Sequence, residues 1–352
     1  MKTTIASSSG YSYQYKNMGQ TSNKGVELQL DAVLVDAKDF GLNFNFNISY
    51  NRGKIDKLNG SSFWQSSSWA GTAAAGIEDF LVEEGGRLGE VYGYKTDGFY
   101  TADDFTFDAE KGTYALKAGV NDCSSLIGGK VYPGSIKLKA NEDGEYKKER
   151  LGNTVPTVSG GFGLNARWKG FDFTAFFNYS LGNKIVNATK LGSSFYSGSS
   201  KNWNINDHFT SANRYSWIDP STGTNLLSSA SIKANGEAWT INRLNEVNTG
   251  SSIWNPAAAT VMPLVDWAVE DGSFLRVNNI TIGYTLPKLF VSKLNIQNIR
   301  IYVTGYNLHC FTKYSGTDPE VDCCTSTPMT PGIDYAAYPK SRSFVGGINV
   351  TF

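Results

Sequence analysis

Histidine is scarce in this chain of 352 residues, where only His208 and His309 occur. So few imidazole groups argue against a metal or catalytic centre built from histidine. No Ser-His-Asp arrangement and no pair of carboxylates suited to acid–base chemistry stands out either. The sequence therefore gives no reason to propose an enzyme or a bound cofactor.

Charge of one sign and long apolar runs are also missing. Lys plus Arg number 32 and Asp plus Glu number 32, so the net charge is zero, whereas a protein that binds nucleic acid normally carries a basic surface. No run reaches the ~18 apolar residues of a transmembrane helix. The first residues lack the apolar core of about 7–15 residues that marks a signal peptide. We therefore expect either a cytoplasmic protein or a fragment of a longer one.

Cysteine is limited to four positions, Cys123, Cys310, Cys323 and Cys324. Their spacing matches no zinc-binding pattern. A bridge from Cys310 to Cys323 or Cys324 would close a short loop in an oxidising compartment, and free thiols are the alternative. The sequence alone does not decide between them.

Aromatic residues are plentiful at 13%, and many of them recur at every second position. In residues 40–51 each apolar side chain is followed by Gly, Asn or Ser. A period of two is typical of a β-strand. The final run, 343–352, shows the same pattern and ends on Phe352. The pattern predicts seven strands, in the ranges 25–35, 40–51, 161–168, 171–182, 274–286, 298–308 and 343–352.

Short and long links alternate between these predicted strands, and the long ones lie near 52–87, 183–272 and 309–342. In an up-and-down sheet alternate links lie at the same end, as in outer-membrane barrels with short turns on one side and long loops on the other. Strands of about 10 residues cross a bilayer when tilted, while strands of soluble proteins are nearer ~5–6 residues.

These features predict an all-β fold, an antiparallel up-and-down transmembrane β-barrel that is present only in part. Its apolar side chains would face outer-membrane lipid, and its polar side chains would face the lumen. The stretches 90–100 and 135–144 offer two further strands, which gives about seven to nine in all.

Several motifs make the chain resemble the SusC/RagA family of TonB-dependent outer-membrane transporters from Bacteroidota. The resemblance covers most of the chain and is weakest in 55–85 and 190–260. The motifs are the closing Phe352 and the ranges 23–30, 89–100, 151–162, 270–288, 300–308, 312–321 and 332–344.

This resemblance implies import of oligosaccharides or peptides, driven through TonB, beneath a SusD-like surface lipoprotein that acts as a lid. The family's barrel is of the plugged class near 22 strands, which nine strands cannot form. We therefore expect residues 1–352 to be the C-terminal portion of such a barrel in the outer membrane, without the plug domain. Phe352 would close that barrel at the interfacial girdle. The alternative is a soluble glycan-binding β-sandwich, which would have shorter strands and loops of similar length at both ends.

Tryptophans in the predicted outer loops are the first candidate site residues. Their ring faces could stack on sugars or hold peptide side chains, and the alternative is packing between loops or at the membrane interface. The candidates are Trp64, Trp69, Trp203, Trp217 and Trp254.

Charged residues supply two weaker candidates. Arg167, Arg276 and Arg300 lie at predicted lumen-facing positions, where they would contact the plug or substrate or satisfy polar neighbours. Within 317–322, the alternating carboxylates suit Ca²⁺, and a polar turn is the alternative. These carboxylates are Asp318, Glu320 and Asp322.

Overall fold

A single antiparallel sheet of seven long strands dominates the computed structural model. The structure describes residues 2–4, 7–15, 17, 19–60, 62–65, 78–196, 204–291, 296–323 and 329–352. The seven strands are β1 (Gly19–Asp36), β2 (Phe40–Leu58), β3 (Val158–Trp168), β4 (Phe171–Leu181), β5 (Phe274–Thr285), β6 (Asn298–Thr312) and β7 (Ser343–Thr351).

Each long strand pairs with its neighbours in chain order, so the sheet runs from β1 to β7 as a meander. Short links join β1 to β2, β3 to β4 and β5 to β6, whereas the other three links are the long loops 59–157, 182–273 and 313–342. The short links therefore share one end of the sheet and the long loops share the other. The predicted up-and-down order and the predicted asymmetry of the ends are both confirmed.

One face of the sheet is apolar across all seven strands. The register is continuous: Phe46 of β2 pairs with Phe162, which pairs with Phe177 of β4. Further along this face Ile282 is 56% exposed and Ile348 is 66% exposed. A soluble antiparallel sheet would bury such a face against a core. An exposed apolar surface of this extent indicates contact with a partner or with lipid.

The opposite face is polar. Asn43 of β2 pairs with Asn165 of β3, and the Thr281 and Thr304 hydroxyls of β5 and β6 lie 2.8 Å apart in a hydrogen bond. Polar side chains on one face and apolar side chains on the other follow directly from the period-two pattern. This is the distribution of a barrel wall with a wet interior.

The buried apolar core lies in the long loops, and no residue of the seven strands belongs to it. The loops 59–157 and 182–273 supply most of its side chains, with one contribution from the loop 313–342. Examples are Phe80, Tyr100, Phe105, Leu191, Ile232, Val265 and Ile333. The loop layer is thus a folded cap with its own core at one end of the sheet.

Short strands and helices build this cap. The α-helices in the described residues are α1 (Ser124–Ile127), α2 (Ala188–Gly192), α3 (Ser229–Val247) and α4 (Lys288–Val291). None of the helices in the described ranges has the length and apolar character needed to cross a membrane. The short strands are Lys2–Thr4, Tyr13–Tyr15, Phe63–Gln65, Phe80–Val82, Glu90–Gly93, Thr96–Phe99, Phe105–Asp108, Thr113–Leu116, Ile136–Leu138, Glu149–Asn153, Lys184–Asn187, Val269–Asp271 and Ile333–Asp334.

The two further strands expected between 88 and 150 do not join the seven-stranded sheet. Thr96–Phe99 pairs with Ile136–Leu138, and Glu90–Gly93 pairs with neighbours inside the same loop. With 3 or 4 residues each, they are too short to cross a bilayer. In the part of the chain that the structure describes, the long sheet therefore has seven strands.

The structure decides between a disulfide bridge and free thiols for some of the cysteines. Cys123 is buried and Cys310 carries a free thiol, so the bridge from Cys310 to Cys323 is not formed. Cys324 lies outside the described residues.

Candidate functional site

A small sheet at the loop end of β4 brings two of the long loops together. Lys184–Asn187 pairs antiparallel with Val269–Asp271 and parallel with Ile333–Asp334. It begins just after Gly182, whose φ of 79° lets the chain leave β4 sharply. Residues of loops 182–273 and 313–342 therefore meet at one place above the barrel wall.

Lys190 and Glu270 form the charged centre of this meeting point. The Lys190 ammonium lies 3.1 Å from a Glu270 carboxylate oxygen and donates to the Trp267 carbonyl at 2.9 Å. Glu270 also accepts hydrogen bonds from the amide and hydroxyl of Ser315 at 2.8 and 2.7 Å. Burial raises the pKa of Glu270, but these hydrogen bonds and the Lys190 charge outweigh burial and leave the pKa below its usual value. Glu270 is therefore ionised and firmly held.

A second buried carboxyl, Asp334, lies at the other wall. Tyr314 donates its hydroxyl to Asp334 at 2.6 Å. Burial, together with the negative charges of Asp318 and Glu270, raises the pKa of Asp334 despite that hydrogen bond. Burial and the adjacent carboxyl in turn raise the pKa of Tyr314. Unlike Glu270, Asp334 has no cationic side chain bonded to it in the described parts of the chain.

A cavity of about 490 Å³ opens between these walls. Its volume lies in the range of small-molecule sites, about 300–1,000 Å³. Polar side chains dominate its lining, and Tyr338 adds an exposed aromatic ring. The lining residues are Asn187, Thr189, Lys190, Asn206, Asp207, His208, Ser315, Gly316, Thr317, Asp334, Ala336, Ala337, Tyr338 and Pro339.

Arg276 of β5 fastens the loop 313–342 to the barrel wall. Its guanidinium donates to Asp318 at 2.6 Å and to Glu320 at 2.5 Å, and Lys340 binds Glu320 at 2.8 Å. Arg276 and Asp318 are both buried. These bonds occupy one carboxylate oxygen of Asp318 and one of Glu320, two of the residues that the calcium hypothesis needs.

The alternative of a polar turn fits these bonds to Arg276 better, and calcium binding by Asp318, Glu320 and Asp322 stays a prediction. Within the described ranges, no group of three or more His, Cys, Asp or Glu residues is arranged to hold a metal.

The other two predicted lumen-facing arginines also bind carboxylates. Arg300 of β6 donates two hydrogen bonds to Asp172, of 2.9 and 2.5 Å. Its guanidinium also lies over the Tyr302 ring. Arg167 of β3 pairs with Asp36 at the turn end of β1. Both side chains satisfy polar neighbours on the polar face of the sheet.

The predicted tryptophans lie in different surroundings. Trp254 is 4% exposed, donates to the Ser194 carbonyl and packs against Trp267, so its ring is part of the loop core. Trp217 is partly buried and donates to the Pro133 carbonyl at 2.6 Å. Trp64 keeps an exposed face, with Lys148 over its ring at 4.9 Å. Trp69 and Trp203 lie outside the described residues.

The cavity residues were not among the candidates that the sequence suggested, although a signal existed. Glu270, Ser315 and Asp334 lie in the ranges 270–288, 312–321 and 332–344, whose motifs carried the family resemblance. The structure brings these three motifs together.

Comparison with known proteins supports the fold described above. No protein-family model matches the chain. A curated relative, "TonB-dependent receptor P3" of Formosa agariphila, is 29% identical over 350 residues, which are 98% of this chain and 30% of the relative. "TonB-dependent receptor SusC" of Bacteroides thetaiotaomicron is 23% identical over 348 residues, 96% of this chain and 27% of the relative.

The chain is similar to SusC-type TonB-dependent receptors along nearly its whole length. Among solved structures it matches one titled the RagAB peptide transporter, with a TM-score of 0.62 and 22% identity. That match covers 99% of this chain and 31% of the transporter chain, and it supports the fold. The chain spans about a third or less of the length of the relatives it matches.

Proposed function

We propose that this chain forms part of the wall and outer loops of an outer-membrane, TonB-dependent nutrient importer. The observation that carries this proposal is the continuous apolar face, because its residues pair in register across seven strands and many of its large side chains are exposed. Contact of such a face with lipid hydrocarbon has no hydrophobic free-energy cost, whereas contact with water is unfavourable. The similarity to TonB-dependent receptors supports the same function.

We place the chain in the C-terminal part of the barrel, with the plug and the TonB-binding segment supplied by a part of the protein outside residues 1–352. Phe352 follows β7 and is exposed, which suits a residue at the interfacial girdle where the barrel closes. The folded cap of loops would face outward and meet a SusD-like lipoprotein. The solute would be an oligosaccharide or a peptide, and the chain would contribute no catalysis.

The glycan-binding sandwich is disfavoured by the same observation. Two packed sheets would bury the inner apolar rows, yet Leu28 is 57% exposed and its neighbours along the face are also open. The strands are also longer, from 9 to 19 residues, than those of a typical soluble sheet.

The proposal is tested by locating the intact protein that carries this chain and by measuring its transport. We expect it in the outer-membrane fraction, and we expect deletion of its gene to abolish growth on one class of oligosaccharide or peptide. Inactivating TonB should give the same growth defect. Recovery in the soluble fraction, or growth on every tested solute without the gene and without TonB, would refute import.

A further inference from the structure

The cavity between loops 182–273 and 313–342 has an imbalance of charge that suggests its ligand. Two carboxyl groups line it, those of Asp207 and Asp334, together with the ammonium group of Lys190. Lys190 is already occupied by Glu270 and the Trp267 carbonyl. Within the described residues, neither Asp207 nor Asp334 has a Lys or Arg side chain bonded to it.

The two carboxyl groups differ in a way that suits a bound cation. Asp334 is 4% exposed and lines the inner wall, where a charge is poorly solvated. Asp207 is exposed at the rim, where Nδ1 of the His208 ring lies 3.2 Å from its carboxylate. One carboxyl therefore offers a strong, desolvated contact, and the other offers attraction at the entrance.

Other groups at the cavity fit a ligand that also donates hydrogen bonds. The Tyr338 ring lies at its edge and is exposed, and a cation over an aromatic face is attracted by it. Thr317 and Asn206 add neutral polar side chains to the lining. An anionic solute would be repelled by these carboxylates, because the ammonium group of Lys190 in the cavity lining is already paired with Glu270.

We propose that this cavity binds the protonated primary amine of an imported solute, with Asp334 and Asp207 as its counter-charges. The proposal rests on the proposed function, since it names the chemistry of the solute. A peptide α-ammonium group and an amino sugar both supply such an amine, and a neutral sugar does not.

The test is calorimetric binding to the intact protein in detergent, with two matched pairs of probes. One pair is tetraglycine and its N-acetyl derivative, and the other is the glucosamine trimer and the N-acetylglucosamine trimer. Removing the charge from a ligand or its partner is expected to weaken binding by about tenfold or more. Preference for tetraglycine identifies a peptide site, and preference for the glucosamine trimer identifies an amino-sugar site.

Asp334→Asn and Asp207→Asn should each remove most of that discrimination. Asn at 334 still accepts the Tyr314 hydroxyl bond, so the wall is preserved, and Asp207 is exposed, so its replacement leaves the fold intact. Asp143→Asn, on an exposed turn, is the matched control and should bind as the unchanged protein does.

Equal binding of free and acetylated probes, no binding of any amine, or unchanged binding by both Asp variants would overturn the proposal. The calorimetry needs no transport, so its outcome is separate from that of the growth experiment. If the protein binds amines selectively but supports no uptake, the importer proposal is refuted and the amine-site proposal remains.

Discussion

At the scale of single residues, Arg276 does most to join the barrel wall to the loops above it. It holds Asp318 and Glu320 of the loop 313–342, and the same loop supplies Ser315 and Asp334 to the cavity wall. A buried ion pair adds little net stability compared with apolar packing, but its loss is costly because one charge stays buried and unpaired. Arg276 therefore acts on the cavity through the position of the loop.

Replacing Arg276 with Met tests this role. We expect the free energy of unfolding to fall by about 3–5 kcal/mol, the usual cost of breaking a buried pair. Trypsin should also cut the loop 313–342 faster in the folded variant. The measurements are a urea titration of the intact protein in detergent and a time course of proteolysis.

Arg300→Met is the matched control for that change. Arg300 and Asp172 are 28% and 34% exposed, and pairs open to water contribute about 0–1 kcal/mol. Equal losses at the two positions would mean that burial of the Arg276 pair is not what stabilises the loop.

Arg276 also shows where sequence reasoning stops. Its position on the polar side of β5 followed from the period-two pattern, and so did the positions of Arg167 and Arg300. Its partners did not, because Asp318 is 42 residues away in a long loop. The carboxylates within 317–322 therefore resembled a calcium site, because the sequence does not reveal that the guanidinium of Arg276 binds two of them.

At the scale of elements, the short turn between β3 and β4 depends on two residues with positive φ. Lys169 has φ of 45° and Gly170 has φ of 91°, the combination that matches a tight two-residue hairpin to the twist of its strands. A Cβ at Gly170 would lie 2.9 Å from the Thr285 carbonyl oxygen. Backbone angle and space therefore both require glycine.

We expect Gly170→Val to cost about 1–3 kcal/mol, in line with other strained backbone positions. A lower urea midpoint for the folded protein in detergent would show it. Gly346→Ala in β7 is the control, because its nearest atom to a new Cβ is 4.0 Å away. A midpoint for Gly170→Val as high as that of the control would contradict a strained turn.

An ion pair connects the helix α3 to Asp219 in the preceding part of the loop 182–273, and low pH should break this pair. Arg243 binds Asp219 through hydrogen bonds of 2.7 and 2.8 Å. These bonds, with those from Ser221, hold the pKa of Asp219 well below its usual range. Because the folded pKa is lower than the unfolded value of about 3.9, the stabilisation is present above that pH and is lost as the pH falls below it.

The protection of α3 amides against hydrogen exchange, measured relative to their intrinsic exchange rates at each pH, should therefore fall below about pH 4 in the unchanged protein. In Asp219→Asn the exchange should be faster at neutral pH and should depend less on acid. Glu246→Gln is the control, since Glu246 also contacts Arg243 but is 70% exposed. Identical pH profiles for Asp219→Asn and the unchanged protein would rule out this pair as the cause.

Elements were predictable where their signal is local. All seven long strands lie where the period-two pattern places them, because alternation within about ten residues specifies a strand with two unlike faces. The cap was not predictable in the same way. Its contacts join distant residues, as when Thr96 binds Asp266 across 170 positions, and no short window of sequence contains them.

At the scale of the whole molecule, the sheet is open at both edges. Within the described residues, β1 pairs with β2 alone and β7 pairs with β6 alone. Unpaired edge strands next to an exposed apolar face are prone to associate. We expect residues 1–352 made alone to aggregate in buffer without detergent, as judged by sedimentation. A soluble monomer under those conditions would mean that the exposed face does not need lipid.

The two faces of the sheet provide the sharpest test of its surroundings. Ile280→Lys puts a charge near the middle of the apolar face, where Ile280 pairs with Ala175 of β4, and Asn43→Lys puts the same charge on the polar face. A lysine that faces lipid at the bilayer midplane costs about 2–4 kcal/mol, while one that faces a wet lumen costs little. Folding of the intact protein into lipid vesicles, followed by a urea titration, should therefore be impaired by the first change and nearly unaffected by the second. If both lysines are tolerated equally, water reaches both faces, and the apolar rows must be covered by a protein partner that dissociates rather than by a membrane.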